Sequence, residues 1–194
     1  MNPWRDPPTL VGRHATLRPL DAGDRDALAA AAADQLDLFF ANVSLFADPD
    51  AAMAAMFTER DEGRAFPLAV CLPDGDVVGV TRLMRMNAGH RRVEIGGTFY
   101  ARRVQRTGVN TEAKRMLFAH GFDTMGCNVV QIRTDWFNKR SQAAIERLGA
   151  KRDGVLRGHQ VRDGRLRDIV VYSVLASEWP GVRRNLDWLL ERDR

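Results

Sequence analysis

Residues 105 to 111 read Gln105-Arg106-Thr107-Gly108-Val109-Asn110-Thr111, a glycine-containing turn between a strand pattern and a helix pattern. A helix start carries unpaired backbone N–H groups and a partial positive charge. A glycine there lets the backbone come close to an anion. Arg102, Arg103, Arg106 and Lys114 surround the turn. The chemistry on offer is the holding of a phosphate or pyrophosphate. The same features also describe an ordinary helix start, so the segment alone leaves both readings open.

The elements that must position this turn follow from periodicity and punctuation. His14 to Leu20 reads as a short strand, and Asp24 to Ala33 as an alanine-rich helix begun by Asp21 or Asp24. Leu36 to Phe46 is apolar without a period and reads as a loop with a helical turn. Asp48-Pro49 opens a second helix to about Glu62, with aspartate as cap and proline in the first turn. Phe66 to Leu72 and Val77 to Arg85 are strands joined at Pro73-Asp74-Gly75-Asp76. Arg92 to Tyr100 is a third strand, and Gly96-Gly97 inside it predicts a bulge or close backbone approach. Gly108 to Asp123 is a helix on the spacing of Val109, Ala113, Met116, Leu117 and Phe122. Val129 to Thr134 is a strand, Asn138 to Leu148 a helix closed by Gly149, and Val155 to Val161 with Arg165 to Val174 a last hairpin. Glu178 to Leu190 is a terminal helix. These elements predict a mixed α/β sheet with helices on its faces, its strand–helix–strand unit parallel and right-handed.

Composition narrows the class. The chain has 194 residues, 45% hydrophobic and 28% charged, which suits one globular domain across 1–194 with a flexible segment at 1–8. Cys71 and Cys127 are too few for a disulfide scaffold, and the four histidines lack metal-ligand spacing, so no metal is expected. Two buried free thiols and no apolar signal core at the N-terminus point to the cytoplasm. No apolar run is long enough for a membrane span. A net charge of +4 favours anionic ligands. A basic helix or basic–aromatic sheet is missing, so nucleic acid is not the expected partner.

Taken together, Glu94-Ile95-Gly96, Gln105-Arg-Thr-Gly108, Asn138-Lys-Arg-Ser141 and Arg147-Leu-Gly149-Ala150 resemble the GCN5-related N-acetyltransferase (GNAT) superfamily, within it the RimJ/RimL-like branch. The closing segment from Gly154-Val-Leu-Arg157 through Asp168–Val174 to Glu178-Trp-Pro180 resembles the same branch. The resemblance runs from about Thr9 to about Leu190. It implies a mostly antiparallel twisted sheet of about seven strands, helices on both faces and a splayed central strand pair. It implies acetyl-CoA as cosubstrate and a primary amine as acceptor, either a small molecule or a peptide or protein N-terminus. A homodimer is also implied, because the branch often dimerises.

The resemblance assigns roles residue by residue. Gln105, Arg106, Thr107, Gly108, Val109, Asn110 and Thr111 become the pyrophosphate loop, with Val109 and Asn110 offering N–H groups. Asn110 departs from the small residue usual there. Phe99 and Tyr100 supply backbone to the pantetheine amides, and Asn138 either contacts the pantetheine or caps its helix. Glu94, eleven residues before Gln105, becomes the general base, since a protonated amine has no lone pair for attack on a thioester. Its other reading is a salt-bridged strand residue. The family's usual tyrosine acid falls at Ile145, so Ser141 is the substitute hydroxyl near the sulfur. Leu38-Phe39-Phe40 and Phe46 line the acceptor pocket or pack the core. A catalytically silent CoA-binding module is the competing function.

Overall fold

At Pro73–Asp76 the chain reverses, Gly75 taking a positive φ of +91°, and strand β3 (Ala65–Cys71) pairs antiparallel with β4 (Val77–Asn87). In the computed structural model, which describes residues 2–192, β4 pairs antiparallel in turn with β5 (Arg92–Tyr100). The sheet is completed by β1 (Leu10–Val11), β2 (Thr16–Pro19), β6 (Val129–Asp135), β7 (Lys151–Arg162) and β8 (Arg165–Leu175), in the order β1-β2-β3-β4-β5-β6-β8-β7. Among the described residues, only the β5–β6 pair is parallel. Eight strands stand against the expected seven, the extra one being the two-residue β1 that pairs on β2.

Helix α1 (Arg25–Ala32), a 3₁₀ segment at Asn42–Ala47 and α2 (Pro49–Asp61) lie on one face of the sheet. Asp48 caps α2 by accepting from the Ala51 N–H at 3.0 Å, with Pro49 in the first turn as expected. Phe46 packs edge-on against Phe99 of β5 at 4.8 Å between ring centroids. The opposite face carries α3 (Gly108–Ala119), α4 (Lys139–Arg147) and α5 (Trp179–Arg192). There Phe118, Phe122 and Trp179 stack over the buried Val93, Ile95, Val130, Ile132 and Tyr172. Removing one such side chain to alanine typically costs about 2–5 kcal/mol. The α3 helix ends earlier than its periodicity predicts, because a π-helical turn at His120–Thr124 absorbs the last residues. Among the described residues, no helix is long and apolar enough to cross a membrane.

Candidate active site

The site begins where two parallel strands part. β5 and β6 pair from Arg92↔Val129 to Ile95↔Ile132 and no further. Beyond that point β5 stays on β4 and β6 stays on β8, so a wedge opens in the middle of the sheet. The β5 side of the wedge carries a bulge. Between Val80↔Phe99 and Arg82↔Gly96, β5 uses one residue more than β4, and Gly97 takes φ +58°. The glycine pair in the sequence predicted this irregularity. A β-carbon on Gly97 would collide with the Arg82 guanidinium.

The Gln105–Thr111 segment sits at the end of β5, at the mouth of the wedge. The Gln105 side chain donates to the Tyr100 carbonyl at 3.0 Å and to the buried Gln35 side chain at 2.6 Å. Gln35 donates to the same carbonyl at 3.0 Å. Arg106 takes φ +64°, a left-handed conformation that side chains rarely adopt, and it tightens the turn before the helix. Thr107 is the N-cap: its hydroxyl donates to the Val104 carbonyl at 2.7 Å and faces the Val109 N–H at 3.4 Å. Gly108 and Asn110 therefore present the freer amides, where the expectation was Val109 and Asn110. Gly108 is required by a neighbour, since a β-carbon there would lie 2.8 Å from the His14 ring. His14 is held in place because Glu112 accepts the backbone N–H groups of Arg13, His14 and Ala15 at 2.9, 2.5 and 2.9 Å. Thr111 is fully buried and accepts from Arg147 of α4 at 3.0 Å.

The surrounding cations do not all point at this turn. Arg102 is bound to Asp34, and Arg103 to Asp76 at 2.5 Å. Lys114 turns the other way, into the core. Its ammonium nitrogen donates to Thr98 Oγ1 at 2.8 Å beneath the bulge and lies 3.4 Å from Thr81 Oγ1. Burial, with no carboxylate in contact, brings its pKa down to about 7. Of the four cations named from the sequence, only Arg106 stays exposed at the turn without an ion-pair partner among the described residues.

On the α1/α2 face, Glu94 is buried at the point where the strands part, at 5% exposure. Burial raises its pKa above the ordinary carboxylate value, against the opposing pull of Arg133, Arg85 and Arg82. Its Oε2 lies 3.1 Å from Nε of both Arg85 and Arg133. These are ion pairs without hydrogen-bond alignment, for Oε2 and the Arg133 Nε have no hydrogen-bond partner. Gly96 leaves room for the carboxylate, since a β-carbon there would sit 3.3 Å from Glu94 Oε1 and 2.7 Å from Met84 Sδ. The same sheet face continues through Asp135, which accepts from Arg165 and Arg167, each at 2.7 Å. Burial works against its ionised form, but the two arginines outweigh that and hold its pKa below the usual range. Arg167 and Arg162 also reach the carbonyls of Phe40 and Ala41, tying the 37–47 loop over this face.

Ser141 and Asn138 stand at the start of α4. Asn138 is the helix cap, its side chain accepting the Ser141 N–H at 3.0 Å. Ser141 is half-buried, and its hydroxyl has no hydrogen-bond partner among the described residues. Ile145 is buried in the core, where its apolar side chain packs α4 against the sheet. The arginines flanking Glu94 and Asp135 were not singled out from the sequence. The signal for two of the groups was the alternation Arg133, Asp135 against Val130, Ile132, Thr134, which puts both polar side chains on one face of β6.

Comparison with known proteins agrees with this geometry. A Bacillus subtilis protein named "Putative ribosomal N-acetyltransferase YdaF" is 33% identical over 57% of this chain, and the match spans 60% of that relative's length. A GCN5-related N-acetyltransferase from Brucella melitensis superposes with a TM-score of 0.81 at 30% identity, covering 95% of this chain and 86% of the other. Mycobacterium smegmatis RimJ, solved in complex with CoA-disulfide, shares the fold at a TM-score of 0.76 and 23% identity, over 96% of both chains. The acetyltransferase (GNAT) domain family matches residues 14–151. Matched over more than two thirds of its length, the chain belongs to the GNAT family of acetyltransferases.

Proposed function

We propose that this protein transfers the acetyl group of acetyl-CoA directly to a primary amine, the N-terminus of a polypeptide being the acceptor. The observation that carries the reading is Glu94: a buried carboxylate with a raised pKa at the head of the wedge, two residues before the bulge. Acetyl-CoA supplies an activated thioester. The chain's own groups do the rest. The edge of β5 from Thr98 to Tyr100 that β6 leaves open aligns the pantetheine as a strand would, the Tyr100 carbonyl being already held by Gln35 and Gln105, and the amides of Gly108 and Asn110 with Arg106 take the pyrophosphate. Glu94 accepts the proton of the ammonium, through water, so that the amine can attack. N–H groups at the Gly97–Thr98 bulge face the developing oxyanion. Ser141, its hydroxyl without a protein partner, donates toward the leaving sulfur. Holding both reactants in one geometry is the largest contribution, with effective molarities that reach ~10⁵ M in oriented systems.

The polypeptide acceptor is favoured by the name of one relative, a ribosomal N-acetyltransferase. Self-association has one physical support, the exposure of Leu156, Val161 and Leu166 on the β7–β8 hairpin. A silent CoA-binding module is favoured by one feature, the clamping of Glu94 between two arginines. The test is calorimetric titration with acetyl-CoA followed by thiol release over N-terminal peptides and small amines. Binding with release of CoA on peptides is the expected result. Binding without release on any amine selects the silent module, and absence of binding overturns the assignment.

A further inference from the structure

The acceptor face carries more positive charge than its own carboxylates neutralise. Around Glu94 and Asp135 stand Arg82, Arg85, Arg133, Arg162, Arg165 and Arg167. Against these six are four acids: Glu59 on Arg82, Glu94, Asp135, and Asp163 beside Arg162. Strand register puts the β6, β7 and β8 members on one surface. Arg133 and Asp135 alternate along β6, Ile169 opposes Asp135, Arg167 follows in phase with it, and Arg162 opposes Arg165.

Several of these guanidiniums are under-used. Arg82 Nε and Arg165 Nη1 are buried and have no hydrogen-bond partner among the described residues. Burial lowers the pKa of Arg162, with Arg167 and Arg165 adding repulsion. Buried like charges with spare N–H groups are costly unless an anion joins them. Arg165 is also arranged as a recognition group. Its Nη2 donates to Asp135, and its guanidinium carbon lies over the rings of Phe39 at 4.9 Å and Phe137 at 5.7 Å. Both rings are more than half exposed, and Arg165 Nη1 is left without a hydrogen-bond partner among the described residues. A stacked arginine with a free edge suits a carboxylate, which it meets in a planar two-bond pair.

The spacing says where that carboxylate lies relative to the amine. Glu94 is in register with Gln131, and Arg165 is anchored at Asp135, four residues further along β6. At ~3.3 Å per residue this is roughly 13 Å, the reach of three or four extended residues.

We infer that the acceptor is an acidic polypeptide N-terminus, its amine at Glu94 and an Asp or Glu side chain from its first four residues on Arg165. The inference rests on the acetyltransferase reading and names the substrate class of that same site.

The experiment uses the full chain, acetyl-CoA and two peptides that begin with the same residue and differ only in Asp or Asn at positions two to four. Calorimetry with acetyl-CoA on the same preparation comes first. The expected result is a kcat/KM at least about 10-fold higher for the acidic peptide, shrinking with added salt. In Arg165→Gln the two peptides become equal while acetyl-CoA still binds. Equal kcat/KM in the wild-type chain, or faster turnover of free amino acids than of either peptide, overturns this inference and leaves the acetyltransferase reading standing. A preference that survives Arg165→Gln removes Arg165 from the recognition. Failure to bind acetyl-CoA removes both.

Discussion

Lys114 on α3 and Thr98 on β5 are joined by a hydrogen bond of 2.8 Å in the core, and the Thr98 hydroxyl is itself 2.7 Å from that of Thr81. A lysine held only by hydroxyls has lost its hydration without gaining a counter-ion, and this is why its pKa falls to about 7. An unfolded lysine titrates near ~10.4. Between about 7 and ~10.4 the folded chain therefore binds fewer protons than the unfolded one, and its stability rises with pH across that window. Lys114→Met removes the slope and loses the hydrogen bonds to Thr98 and Thr81, about 1 kcal/mol each. Urea unfolding is expected to show the variant ahead of wild type by roughly 1–3 kcal/mol at pH 6, the gap closing by pH 10. A constant gap would mean that the amine is not held neutral.

Glu94 is expected to act as a base with an elevated pKa, since burial outweighs its arginine neighbours. The acid limb of kcat/KM should therefore lie above ~4.3, the ordinary glutamate value, with the rate lost as pH falls through it. Glu94→Gln should cost about 10²–10⁴ in rate and abolish that limb. A variant that keeps the limb assigns it to another group.

Gly97 carries both a left-handed backbone and the Arg82 guanidinium against its α-carbon. Gly97→Ala should cost about 1–3 kcal/mol of stability from backbone strain alone. It should also displace Arg82 from the bulge and break its 2.6 Å pair with Glu59 of α2. Thermal unfolding together with acetyl-CoA titration checks both effects. An unchanged melting temperature would mean that the bulge relaxes freely.

Glu112 accepts three consecutive backbone N–H groups from Arg13, His14 and Ala15, and His14 is what packs on Gly108. Glu112→Ala strands those donors at a cost of roughly 2–4 kcal/mol. Acetyl-CoA affinity should fall with stability, because the turn loses its backing. Stability lost with affinity intact would separate the turn from the 12–15 segment.

The hairpins, the caps and the β5–α3–β6 unit were legible because each rests on local chemistry. Asp74-Gly75, Asp48-Pro49 and Gly149 mark their own positions. The bulge was legible from Gly96-Gly97 for the same reason. Lys114 was misread as a phosphate cation because its charge was weighed before its phase. Thr111, Lys114, Leu117 and Phe118 recur at helical spacing, and that phase puts the lysine inward. The ion pairs of Glu94 were not legible, since Arg133 comes to it only through the parallel register set by α3, and Arg85 only through the hairpin. Those are long-range facts that no local window contains.

The parting of β5 from β6 also gives this sheet two inner edges, one along Gly96–Tyr100 and one along Arg133–Asp135. Open edges are where one chain templates on another. On the proposed reading, a cosubstrate lying along such an edge would be in effect a borrowed strand, shielding the chain from its own copies as well as delivering a reactant. Solubility and resistance to proteolysis should then rise with added acyl-CoA by mass action.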